Sequence, residues 1–283
     1  MLIDELLSND RVDKHQKAAM LVAVRFQIEN VAKYVHENDH KETYSIQNHI
    51  PNVAPLAPHM WFECNGASVG FSSSIQLGCL LSVIYTKGIT QVNDWKENTL
   101  PDGTRWILRA EYFRKLPVGL GASNWTYYIH VGEEGQILGF SVAPSRNIPF
   151  APDEDEKNLF PADVVAALTA VCFAHCKGTT IEEHQPTRQV KRTAQRTGKP
   201  VFSFHTIDIH PSTTILKSEG HVSENGLARA LHICRGHFAH YTTEHPLFGK
   251  YTGTFYKPMH VRGSAKQGIA VKDYRIHPSE VKS

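Results

Sequence analysis

No apolar run in the 283-residue chain approaches the ~20 residues that a membrane-spanning helix needs, so no contact with a membrane is expected. Cysteine is scarce and unpatterned. There are five, Cys64, Cys79, Cys172, Cys176 and Cys234, an odd number with no framework spacing. That argues against a disulfide scaffold and fits a reducing compartment. The opening MLIDELLSND places acids where a secretory signal needs basic residues ahead of an apolar stretch. A cytoplasmic protein is therefore expected. The motifs GxxxxGKS/T and GxGxxG are missing, as is any CxxC knuckle. Phosphate-loop and dinucleotide chemistry then have no foothold, and neither cofactor nor metal is expected. No tandem repeat is present, which excludes a solenoid.

What the chain does have is an uneven charge distribution. Residues 1–187 carry 15 Lys and Arg against 22 Asp and Glu; residues 188–283 carry 15 against 6. A basic last third behind an acidic remainder suggests that the former meets a polyanion. Intramolecular docking of the two parts accounts for the same numbers. Histidine is also abundant, with 17 residues, nine of them after position 204.

Apolar spacing predicts one helix over 11–38 and a second over ADVVAALTAVCFAHC, begun at Pro161 and stopped near Lys177–Gly178. Between them lie the β-rich runs MWFEC, LLSVIYT, RWILRAEYF, NWTYYIHV and ILGFSVA, separated by turn signals such as PDG and GEEG. These predict an antiparallel meander with helices flanking it. The segment PTRQVKRTAQRTGKP holds five basic residues and no acid. It reads as a basic linker or a short helix, with Arg188, Lys191 and Arg192 as candidate phosphate contacts. The expected class is α+β: an acidic domain over 1–180, a linker over 181–200, and a smaller basic β-rich domain over 201–283.

That last domain carries the candidate chemistry. LHICRGHFAHY and TGTFYKPMHVRG read as strands. Alternation puts Arg235, His237 and Tyr241 on one face of the first, with His232, Cys234 and His240 on the other. On the second, Tyr256, His260 and Arg262 share a face, opposite Lys257. If the strands pair so that Arg235 and His237 face His260 and Arg262, they form the constellation of metal-free RNA cleavage. Two imidazoles serve as acid and base, and two guanidiniums hold the phosphoryl charge. Tyr241, Tyr256 and Lys257 would position substrate. A zinc reading uses His232, Cys234 and His240, or Cys172, His175 and Cys176, but the spacing matches no known knuckle.

The run CKGTT, RQVKRTAQRTGKP, FSFHTIDIHP, ALHICRGHF, PLFGKYTGTFY, HVRGSAKQG and VKDYRI resembles a family of uncharacterised bacterial and phage proteins over about residues 176–276. The resemblance implies that a CRGHF–HVRG–KDY unit travels as a module. It brings no catalytic residues with it. The chemistry of the His/Arg cluster is also similar to that of small basic sheet ribonucleases of the barnase kind. The expected function is thus a metal-independent endoribonuclease acting on RNA before DNA. The alternative is a nucleic-acid-binding or phage assembly protein that does not cut. A protein inhibitor or a second copy of the chain is compatible with either.

Overall fold

A computed structural model describes residues 2–10, 12–38, 50–88, 100–122, 125–144, 160–177, 179–198, 201–209, 230–234, 237–257, 260–262 and 264–269. The chain forms two compact units, Met1–Ile209 and His210–Ser283. The α+β class holds.

The first unit begins with two short helices, α1 (Leu2–Ser8) and α2 (Lys14–Val22). Asp13 starts α2 by accepting from the His15 backbone N–H at 2.7 Å, and Gln16 reaches back to the Asp13 N–H at 3.1 Å. This reciprocal cap satisfies donors that an uncapped helix leaves open. The single helix expected over 11–38 is instead broken by strand β1 (Val24–Gln27) before α3 (Glu29–Asn38). The reason is tertiary. β1 pairs in parallel with β2 (His59–Asn65) on one side and with β9 (Phe204–Ile209) on the other. Two ladders of backbone bonds outweigh the weak helical preference of VRFQ.

The expected meander is present as β2, β3 (Gln76–Thr86), β4 (Thr104–Leu116), β6 (Trp125–Gly132) and β7 (Ile137–Pro144), all antiparallel, with β5 (Gly119–Ala122) pairing to β4. With β8 (Thr179–His184) antiparallel to β9, the order is β7-β6-β4-β3-β2-β1-β9-β8. The sheet is therefore mixed rather than purely antiparallel, because β1 lies parallel to both neighbours.

Both faces of the sheet are covered. Trp61, Leu80 and Phe113 pack with Leu2, Ile3, Leu6 and Met20 of α1 and α2. Their strand neighbours alternate to the opposite side, where α4 (Ala162–His175) lies against α3, β3 and β4. α4 is apolar all round and buried from Asp163 to Phe173, as a helix enclosed on every side must be.

Several of the buried polar groups are paired across elements. Glu63 accepts from the Leu2 backbone N–H at 2.8 Å and from Trp61 Nε1 at 3.1 Å, tying α1 to the sheet. Gln16 donates to Glu111 at 2.8 Å, and Arg109 pairs with the same carboxylate at 3.1 Å. Arg25 donates to the Met20 carbonyl at 2.9 Å and lies over the Phe202 ring. Burial brings its pKa down to about 10, against the pull of Asp4 and Glu63.

Gly78 marks the tightest approach of sheet to helix. A Cβ there would overlap Cζ2 and Cη2 of Trp61 and meet Leu2 Cδ2 at 3.2 Å. The indole is fully buried and has no room to retreat. Gly78→Ala should cost about 1–3 kcal/mol, as overpacked cores do. The check is a lower urea midpoint at unchanged slope.

His59 and His130 are held below the usual histidine range by burial, with Arg109 adding to the effect at His59. Each binds its proton less tightly folded than unfolded. Stability is therefore full above the unfolded value of about 6.5 and declines as pH falls below it. Denaturant titrations between about pH 7.5 and 5.5 should show this decline, and His130→Gln should make it shallower.

The second unit holds an antiparallel pair, β11 (His237–Tyr241) with β12 (Gly253–Lys257). It also holds a three-stranded sheet of β10 (Ala230–Cys234) between β13 (His260–Arg262) and β14 (Ser264–Ile269). The boundary between units falls later than expected. β8 and β9 belong to the large sheet, so Thr179–Ile209 stays with the first unit rather than forming a linker and the start of a second domain.

Candidate nucleic-acid interface

The basic segment of the sequence forms helix α5 (Arg188–Thr197) in the first unit. Thr187 caps its start, accepting from the Val190 N–H at 3.4 Å, and Gly198 ends it with φ 64°, a left-handed conformation suited to glycine. Of its ten residues only Ala194 is buried. Arg188, Lys191, Arg192 and Arg196 are all exposed, and the helix carries no acid. None of the four pairs with a carboxylate among the described residues. α5 is thus a solvated cationic rod, with one small residue as its foothold on the protein.

Beside it lies an open groove of about 660 Å³, lined by Lys191, Ala194 and Gln195 of the helix and by Gln185, Pro186, Val201 and Ser203 of the segments before and after it. The volume is in the ordinary range for small-molecule sites, about 300–1,000 Å³. Its neutral polar residues carried no signal in the sequence, because isolated Gln and Ser follow no motif. Arg196 was visible only as part of the basic run.

The strand cluster of the second unit is arranged differently from the expectation. β10 pairs with β13 so that His232 stands opposite Arg262 and Cys234 opposite His260. β11 pairs with β12 so that His237 stands opposite Lys257. The two ladders share one frame: three residues on from Cys234 is His237, and three back from His260 is Lys257. Setting His237 against His260 and Arg235 against Arg262 requires a shift of three residues from this frame, and an odd shift exchanges the two faces. The expected cross-strand dyad is therefore not the pairing that forms. Arg235, and the side chains of His237, His260 and Arg262, lie outside the described residues.

The residues expected to position substrate in this unit make contacts of their own. Lys257 Nζ lies 5.0 Å from the Tyr241 ring, and Tyr241 meets Phe255 edge-on at 5.9 Å. Tyr256 is tilted against Phe238 at 5.5 Å, and His240 Nδ1 lies 3.0 Å from Thr254 Oγ1. Tyr241 and Lys257 stay together, while Tyr256 belongs to the adjacent position and its own aromatic partner.

The zinc-capable residues of α4 have other roles. Cys176 Sγ donates to the Cys172 carbonyl at 3.3 Å, and His175 Nε2 bonds the Ala54 carbonyl at 2.7 Å. Among the described residues no group of three or more His, Cys, Asp and Glu is placed to hold a metal ion. No helix among them is long and apolar enough to cross a membrane. In comparisons with known proteins, no family model, no curated protein and no solved structure matches the chain.

Proposed function

We propose that the chain binds nucleic acid through its phosphates, with single-stranded RNA before DNA, and that α5 is the principal contact. One observation carries this reading: four cations stand exposed on a ten-residue helix that buries only Ala194 and contains no acid. Such a helix contributes little to the core, so packing does not account for its composition. Successive turns set Arg188, Lys191, Arg192 and Arg196 at i, i+3, i+4 and i+8, a strip suited to following a backbone of fixed charge. In the second unit the contact between Tyr241 and Lys257 supplies an aromatic face and a cation, the pair that single-strand binders use on bases and phosphates. The observed strand register favours binding without scission, since it does not oppose His237 to His260.

The test is titration of labelled single-stranded RNA with the full chain, in EDTA, at rising salt. Neutralising four phosphates should give log K against log salt a slope of about −3, at ~0.7 per single-strand contact. The RNA should remain intact on a gel. Absence of binding at low salt overturns the proposal. Cutting that persists in EDTA and disappears in His237→Ala would instead restore the ribonuclease reading.

A further inference from the structure

The loop that joins β11 to β12 holds a backbone conformation that packing does not explain. Leu247 and Tyr251 bond each other in both directions, N–H to carbonyl, at 2.8 and 3.0 Å. The chain therefore reverses over Phe248, Gly249 and Lys250. Phe248 has φ 54° and Gly249 has φ 71°, two left-handed residues in succession. Glycine adopts that conformation freely, and asparagine or aspartate tolerate it, whereas a bulky side chain is strained by its own Cβ. Among the described residues Phe248 is the one residue other than glycine with a positive φ. Burial does not offset the strain, because the side chain is 59% exposed.

We propose that Phe248 is a stacking platform for one base of a bound single strand, with Lys250 meeting the adjoining phosphate. The proposal rests on the nucleic-acid reading above and gives it a base contact. Strain on an exposed side chain points to a contact made outside the chain. The surroundings favour a base over an apolar protein pocket. Pro246 and Leu247 are partly buried, which leaves Phe248 as the one exposed apolar side chain of the loop. Residues 241–257 carry two lysines against a single acid, Glu244. Both lysines lie on aromatic rings: Lys250 Nζ is 4.9 Å from the Tyr251 ring and 3.1 Å from its hydroxyl, and Lys257 Nζ is 5.0 Å from the Tyr241 ring. A nucleotide is the ligand that offers a flat π-face and a negative charge together. The fixed turn also holds the ring in place before binding, so little ordering is lost when a base arrives.

The experiment titrates the full chain with oligouridylate and with an abasic ribose-phosphate strand of equal length, at one salt concentration. The two strands carry the same charge, so phosphate contacts cancel in the comparison. Wild type should bind the base-bearing strand at least about fivefold more tightly, the lower end for one base–aromatic stack. Phe248→Asn suits the left-handed position and lacks the ring. It should reduce the preference by about the same factor, with a urea midpoint equal to or above that of wild type. Phe248→Trp should keep the preference. Equal wild-type affinities for the two strands, or a preference unchanged in Phe248→Asn, would overturn the stacking role and leave the phosphate-binding reading standing. A Phe248→Trp variant without the preference does the same. A lower urea midpoint in Phe248→Asn would also overturn it, because the ring would then serve the fold. Failure of both strands to bind would remove both readings together.

Discussion

Replacing Arg188, Lys191, Arg192 and Arg196 together by alanine should weaken binding of single-stranded RNA by about 30- to 1,000-fold. The estimate takes about 0.5–1 kcal/mol for each exposed charge contact, so four contacts amount to about 2–4 kcal/mol. The slope of log K against log salt should become shallower by about 3. Folding is insulated from the change. All four side chains point into solvent and alanine is the best helix former, so far-UV circular dichroism and the urea midpoint should hold or improve slightly. Single replacements should act uniformly across RNA sequences, because phosphate contacts position a strand without reading it. A quadruple variant that binds as wild type does, at every salt concentration, would remove α5 from the interface.

The largest effect on stability is expected at Asp163. Its carboxylate, 3% exposed, receives two parallel bonds from Arg114: Nε to Oδ2 at 3.0 Å and Nη2 to Oδ1 at 2.8 Å. It also lies in the first turn of α4, whose N-cap residue Pro161 offers no side-chain bond, so the carboxylate is the negative group near that helix terminus. Asp163→Ala leaves Arg114 without its main partner in a site where α4 covers the sheet. Breaking a buried pair from one side costs about 3–5 kcal/mol, and the lower end applies because the Arg114 side chain is 33% exposed and stays partly hydrated. At ~2–4 °C per kcal/mol for a unit of this size, the melting temperature should fall by about 6–12 °C. Arg114→Met tests the other half of the pair. It strands the less exposed partner, so it should cost more than Asp163→Ala. The double variant should cost less than the two single ones summed. Additivity would show that the two groups act independently.

Much of the first unit was legible in the sequence because its signals are local. The runs around Trp61, Leu80, Leu108 and Ile129 are rich in β-branched, aromatic and other apolar residues and are bounded by turn residues, and the ADVVAALTAV run is apolar but for Asp163 and Thr169. β1 was not legible. VRFQ places Arg25 inside the sheet, and only its contacts in the fold show why a charged residue belongs there: the Met20 carbonyl and the Phe202 ring. The unit boundary was missed for the same reason, since the pairing of Phe26 with His205 leaves no mark in local composition. In the second unit the strand at His237–Tyr241 and the one at Gly253–Lys257 could be read, but their register could not. Both faces of that hairpin carry aromatic and polar residues, Phe238 with Tyr256 on one and Tyr241 with Phe255 on the other. A pattern apolar on one face only would have fixed the frame.

The position of β1 has a consequence for how the protein is made. His205 Nδ1 lies 3.1 Å from the Arg25 carbonyl, across 180 residues of chain. While the chain emerges from a ribosome, β1 can pair with β2 early, but its other edge stays open until β9 has been synthesised. An open edge of backbone donors and acceptors invites pairing with other chains. Synthesis that pauses before residue 204 thus leaves an adhesive intermediate, and fragments ending after α4 should be recovered as aggregates or bound to chaperones. For this fold, one edge of β1 is paired only after some 180 further residues have been synthesised.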